Sequence, residues 1–330
     1  MSARRSVETL TRADVEAAAK RIAPFVTRTP LVESAWLSAA TKADVVIKLE
    51  SVQVTGSFKA RGAINALVAL KEREPGSPVV VTASAGNHGV ALAWAGRQLG
   101  IAVRVHVPAC APRAKREGLA RMGASIVDAP DYDAAEAAAR EDAQVSGVPY
   151  VSPYNDADVI AGAGTVALEM LADRPDLNVI VVPLGGGGLL SGVAIVAAAH
   201  APVVGTVGVE AEASPVFTTS LAEGHITEVA VQATLADGLS GNLEPGSATF
   251  AMVERLVDGV ALVSEGSIEM AMRGLVAEER LVAEGAGATA IGALLQGGLG
   301  LAGKHVGVIL SGRNVDWAVL RRVLTSSARV

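Results

Sequence analysis

The chain has 330 residues, of which 50% are hydrophobic, 19% charged and 3% aromatic, with a formal net charge of −6. That apolar content excludes global disorder and supports one large α/β unit or two intimate domains. Few aromatics, and no basic run longer than "RR", exclude a nucleic-acid binder, and a lone cysteine, Cys110, excludes an intrachain disulfide and fits a reducing compartment.

The N-terminal stretch "MSARRSVETLTRADVEAAAK" has no apolar signal core, and later apolar runs are short and broken by Gly, Pro or charge. No membrane span is expected, and a cytoplasmic location is. Along the chain, apolar strand-like runs alternate with alanine-rich stretches. "VVIKLE", "PVVVTAS", "IAVRVHVP", "ASIVDAP", "NVIVVPL", "VVGTVGVEAE" and "HVGVILSG" read as strands, and 87–99, 112–122, 133–145, 159–172 and 188–199 as helices. Strands apolar throughout and separated by helices imply parallel sheets covered on both faces. Residues 72–155 read as a small domain inserted in a larger one made of 1–71 and 156–330, with "PYVSPYND" at the crossing.

Four loops at strand ends carry the candidate chemistry. In "SVQVTGSFKARGAINAL", Ser57 is placed to cap a helix whose first turn holds Lys59. A positive charge there opposes the helix dipole, and burial adds to that, so the amine is driven toward the neutral form that imine chemistry needs. A solvated first-turn lysine is the commoner arrangement. "SAGNHG", Ser84 to Gly89, follows a strand and opens a helix, where an anion meets backbone N–H groups; a capping Asn with an exposed His reads equally well. "VVPLGGGGLLSG" puts four glycines, Gly185 to Gly188, after a buried strand, which suits amides converging on a phosphate. It lacks the P-loop lysine and the GxGxxG spacing. In "VILSGRNVD" the strand ends in Ser311, which either meets a ligand or caps the next helix. The five histidines show no metal-ligand spacing, and no G-x-S-x-G elbow is present.

Taken together, "TGSFKARGA", "ASAGNHG", "IAGAGTVALE", "PLGGGGLLSG", "TLADGL", "LVAEGAGA" and "LSGRNVD" resemble, in order and over nearly the whole chain, the fold-type II pyridoxal-phosphate enzymes of the threonine/serine dehydratase branch. The resemblance implies two open parallel-sheet α/β domains with pyridoxal 5′-phosphate between them. It makes Lys59 the carrier of the cofactor and the catalytic base. Gly185, Gly186, Gly187, Gly188 and Leu189 then hold the phosphate, Asn87 meets the ring hydroxyl, Ser311 the ring nitrogen, and Phe58 lies against the ring. Ser84, Gly86, Asn87 and His88 receive the substrate carboxylate, with Glu284 as a further pocket carboxylate. The implied reaction is β-elimination from an L-threonine- or L-serine-type amino acid, giving a 2-oxo acid and ammonia, in a homodimer or higher homo-oligomer.

Departures from the family pattern matter. Racemases of the family carry a second serine where this chain has Ala85. Arg313 replaces the second glycine of the last loop, which is similar to that of hydroxyectoine-utilisation dehydratases. Hydroxyectoine-derived, 3-hydroxyaspartate or phenylserine substrates, serine racemisation, and β-replacement as in cysteine synthase are therefore the alternatives. Some relatives bind a divalent cation after the strand ending "GVE". Glu210 is present, but the companion carboxylate falls near Val216, so no tight divalent site is expected and a monovalent cation is the alternative. The resemblance includes no C-terminal regulatory domain.

Overall fold

The computed structural model describes residues 6–76, 79–111 and 113–326; Pro78 and Pro112, where a strand and a helix were expected to begin, lie outside them. Nine strands form two sheets among the described residues: β1 Leu31–Glu33, β2 Asp44–Leu49, β3 Val79–Ala83, β4 Ala102–Pro108, β5 Ser125–Ala129, β6 Val179–Pro183, β7 Gly205–Ala211, β8 Gly259–Val263 and β9 His305–Leu310. One sheet runs β1-β2-β9-β6-β7-β8 and the other β3-β4-β5. All pairings are parallel except β1 with β2, so the larger sheet is mixed at one edge, a correction to the all-parallel expectation. β1 is only three residues long and half-exposed, too short to show as an apolar run.

The continuous apolar strands bury both faces, and the side chains alternate between two cores as a two-residue period requires. Val46, Ile180, Val182 and Ile309 enter one core. Val45, Ile47, Val179, Val181, Val306 and Val308 enter the other. A third core, including Val80, Leu92, Val103, Val105 and Leu119, belongs to the three-stranded sheet. The helices expected at 87–99, 133–145, 159–172 and 188–199 are present as Asn87–Leu99, Tyr132–Ser146, Ala157–Asp173 and Gly188–Ala198.

Three helices packed side by side set the geometry of the cleft: Lys59–Arg73, Ala157–Asp173 and Gly188–Ala198. They touch backbone to backbone. A Cβ on Gly162 would lie 2.5 Å from the Arg61 carbonyl oxygen, and one on Gly192 2.5 Å from that of Ile160. Any side chain there would push the helices apart, so these small residues lock the start of the Lys59 helix beside the start of the tetraglycine helix. The chain returns from the smaller sheet through residues 149–156, where Val81 pairs with Tyr150 in an isolated parallel bridge.

Candidate active site

The four loops converge at the C-terminal ends of β2, β3, β6 and β9, where open α/β sheets place ligands. Lys59 is the first residue of its helix, with Phe58 as N-cap. Ser57 does not cap it: its backbone forms an antiparallel bridge with Gly312, and its Oγ is buried without a hydrogen-bond partner. The pairing with the last loop draws Ser57 away from the helix axis, so the capping expectation fails. The Lys59 Nζ donates to the Pro153 carbonyl at 2.8 Å and lies 5.0 Å from the centre of the Phe58 ring. Burial lowers its pKa to about 8, against a partial opposing pull from Glu284.

Behind Lys59 the helix is clasped by a buried charge network. Arg61 makes a bidentate pair with Glu50, at 2.8 Å for each bond, and donates to both oxygens of Glu169 at 2.7 and 2.9 Å. Lys48 donates to Glu169 at 2.6 Å and to the Thr29 carbonyl at 2.7 Å. Two cations and two carboxylates therefore neutralise one another with only Glu169 reaching solvent, and each depends on its partners. The network fixes both ends of the segment 50–61 that carries Lys59.

On the other side of Pro153 and Tyr154, the tetraglycine loop leads into helix Gly188–Ala198, whose N-cap Gly187 has φ 84° and no side-chain cap. Added Cβ atoms would strike Tyr154 Cγ at 2.3 Å from Gly186 and Phe217 Cζ at 2.8 Å from Gly187. Glycine is thus required by contact at one position and by contact and backbone conformation at the other. The first N–H groups of such a helix have no intrahelical acceptor, and an anion satisfies them. Leu189 lies in this first turn, and the buried Ser191 Oγ nearby has no partner.

Gly86 is the N-cap of helix Asn87–Leu99, also without a side-chain cap. Ser84 Oγ accepts from the Gly86 N–H at 3.2 Å, shaping the turn. Asn87 donates from Nδ2 to Glu284 at 2.6 Å. His88 is turned inward: Nε2 lies 3.3 Å from the Val151 carbonyl and Nδ1 is buried without a partner. Burial, reinforced by Lys59, lowers its pKa to about 3, so the ring is neutral and Nε2 carries the proton. What His88 offers an anion is its place in the first turn of the helix, since its ring is spent on Val151. Glu284, the N-cap of helix Gly285–Gln296, is 8% exposed, and burial raises its pKa to about 7 against the Asn87 hydrogen bond. Ser311 is buried at the end of β9, and its carbonyl accepts from the Phe58 N–H at 3.0 Å. It does not cap the next helix; the Asp316 side chain does.

Glu210 stands apart. Its two carboxylate oxygens accept from the Phe217 N–H at 2.7 Å and from the Thr218 N–H and Oγ–H at 2.8 Å each, which caps helix Val216–Glu223. Val216 is buried beside it. The residues do not fit a divalent cation, because the one carboxylate is already saturated by hydrogen-bond donors. Sequence reasoning missed Pro153, Tyr154 and Asn314. Residues 149–156 read only as a crossing, because a backbone carbonyl acceptor leaves no mark in residue type.

A half-buried lysine amine and an uncapped glycine helix start lie at one cleft between two α/β sheets, an arrangement that suits an enzyme using a phosphorylated carbonyl cofactor. The orphaned donors of the Gly188 helix, the lowered pKa of Lys59 and the hydroxyl at the end of β9 fit pyridoxal phosphate. The family model described as pyridoxal-phosphate dependent enzyme matches residues 22–312, and the chain belongs to that family. It is 38% identical over 316 residues to the L-threonine ammonia-lyase of Thermotoga maritima, covering 96% of this chain and 78% of that protein. The maize serine racemase structure superposes with a TM-score of 0.88 at 34% identity, covering 94% and 96% of the two chains. The processed form of threonine deaminase isoform 2 from Solanum lycopersicum gives 0.87 at 33% identity, covering 94% of this chain and 85% of that one. No helix among the described residues is long and apolar enough to cross a membrane.

Proposed function

We propose that this chain is a pyridoxal-phosphate-dependent ammonia-lyase that eliminates the β-hydroxyl of a small L-β-hydroxy amino acid, of the L-threonine or L-serine type, to give a 2-oxo acid and ammonia. One observation carries the reading. The Lys59 amine, with its pKa at about 8, is bonded to the Pro153 carbonyl, and the next residue, Tyr154, packs against Gly186 and Gly188 at the uncapped helix start. The 38% identity to a threonine ammonia-lyase over most of the chain supports the reaction class.

Bound pyridoxal phosphate supplies the electron sink for the carbanion left when the α-proton departs. Lys59 would carry the cofactor, and its amine would take the α-proton of the substrate. The backbone of Gly185, Gly186, Gly187, Gly188 and Leu189 receives the phosphate. Asn87 donates to the ring hydroxyl, Phe58 lies against the ring, and the Ser311 hydroxyl meets the ring nitrogen. A neutral hydroxyl such as that of Ser311 would stabilise a ring cation less than a carboxylate does, which would suit elimination. Ser84, Gly86, Asn87 and His88 receive the substrate carboxylate at the helix start, with Glu284 at its margin.

Racemisation is the second reading, favoured by the likeness to maize serine racemase. Ala85, buried and without a hydroxyl, leaves one face of the α-carbon with no proton donor there, so elimination is preferred. Residues 72–155 form the smaller domain, the enzyme acts in the cytoplasm as a homo-oligomer, and any cation requirement is monovalent. A panel of L- and D-β-hydroxy amino acids, read as 2-oxo acid and ammonia, tests the reading. Equimolar products from L-threonine or L-serine are expected, and the absence of 2-oxo acid from every L-substrate would overturn it.

A further inference from the structure

The two ends of the Asn87 side chain do different chemistry, and the hydrogen bonds around it fix which end faces where. The chain of bonds starts at the Thr55 carbonyl oxygen, which can only accept. Asn314 Nδ2 donates to it at 2.9 Å. The amide nitrogen of Asn314 is therefore the atom on that side, and its second hydrogen goes to Asn87 at 2.7 Å. The Asn87 atom that accepts it must be Oδ1, which turns Asn87 Nδ2 toward Glu284, at 2.6 Å. Glu284, as carboxylate or as acid, presents an acceptor. One hydrogen of Asn87 Nδ2 is left to give away. The relay joins four motifs distant in sequence, through Thr55, Asn87, Glu284 and Asn314.

Asn314 itself is held in register by the backbone. The Arg313 N–H donates to the Gly56 carbonyl at 2.9 Å, and Ser57 pairs with Gly312. Gly56 has φ 77°, and a Cβ there would lie 2.4 Å from Asn314 Oδ1. The side chain of Asn314 is exposed, so it packs in no core.

We infer that Asn314 is a positioning residue: by donating to both the Thr55 carbonyl and Asn87 Oδ1, it dictates that Asn87 presents an N–H, not a carbonyl oxygen, to the cofactor ring hydroxyl. This rests on the role proposed above for Asn87. Without Asn314 the orientation of the Asn87 amide rests on Glu284 alone, and the reversed amide, which offers the ring oxygen an acceptor in place of a donor, is less strongly opposed. Asn314→Asp goes further, since a carboxylate confronts both the Thr55 carbonyl and Asn87 Oδ1 with an acceptor and favours the reversed amide.

The test is pyridoxal-phosphate affinity, measured by titrating the apoprotein, for Asn314→Ala, Asn314→Asp, Asn87→Ala and the double variant Asn87→Ala/Asn314→Ala. Loss of one oriented hydrogen bond corresponds to about ten-fold weaker binding for Asn314→Ala, with a larger loss for Asn314→Asp. Apoprotein melting temperatures should stay within about 2 °C of the parent, because the residue is exposed. In the Asn87→Ala background, Asn314→Ala should cost nothing further. Affinity within two-fold of the parent for both Asn314 variants overturns the inference, as does an equal loss in the Asn87→Ala background. If Asn87→Ala alone leaves affinity unchanged, the role of Asn87 fails and the relay with it, while the lyase reading stands on the substrate panel.

Discussion

The ionisation of Lys59 is the most quantitative consequence of the cleft. An ordinary lysine has a pKa of 10.5, and burial brings this one to about 8. At pH 7 the neutral amine therefore makes up about 10% of the population in place of about 0.03%, roughly 300-fold more nucleophile. Glu284 acts in the opposite direction, since its negative charge steadies the ammonium. Glu284→Gln removes that charge, so it should lower the Lys59 pKa further, below about 8. Glu284 itself has its pKa raised to about 7, so the difference between parent and variant should appear mainly above pH 7, where the carboxylate is charged. The assay is reductive methylation of the apoprotein with carbon-13 formaldehyde, followed by an NMR pH titration, with the Lys59 signal assigned by its absence in Lys59→Arg. A parent midpoint above about 9.5, close to that of a solvated lysine, would refute the desolvation argument. A midpoint that rises in Glu284→Gln would refute the electrostatic one.

Gly186→Ala should weaken pyridoxal-phosphate binding at least about ten-fold in a fluorescence titration, because its Cβ would lie 2.3 Å from Tyr154 Cγ and displace the loop that receives the phosphate. Unchanged affinity would remove that role. Glu210→Ala leaves the N–H groups of Phe217 and Thr218 without their acceptor and should lower stability by about 1–3 kcal/mol in urea unfolding, equally with magnesium or with a chelator. A loss seen only when magnesium is present would assign Glu210 to a cation instead. With L-serine, chiral chromatography should show pyruvate far outpacing D-serine, and Ala85→Ser should raise D-serine measurably; comparable rates in the parent would make the protein a racemase.

Much of this architecture is legible from residue types. The buried strands β6 and β9 show because apolar runs of five or six residues carry no other explanation, and the helices between them show by their alanine content. The tetraglycine stands out for a different reason, since four glycines after a buried strand are costly in chain entropy unless a ligand uses them, whereas Lys59 and Asn87 come forward only through the resemblance. The edge strands β1 and β8 were not read: β1 is only three residues long, and β8, GVALV, is a short apolar run that residue type does not distinguish from a helix segment. The capping role assigned to Ser57 failed because a long-range bridge to Gly312 outweighed local propensity. The inward turn of His88, the saturation of Glu210 by amides and the relay through Asn314 depend on backbone atoms of distant segments, which residue identity does not encode.

The central claim is that Lys59 carries the cofactor. Borohydride reduction of the holoenzyme, followed by peptide mass mapping, tests it directly. The account predicts a single pyridoxyl-phosphate modification, on the peptide containing Lys59, and none in Lys59→Ala treated alike. Stoichiometric modification of another lysine, with Lys59 unmodified, would contradict it.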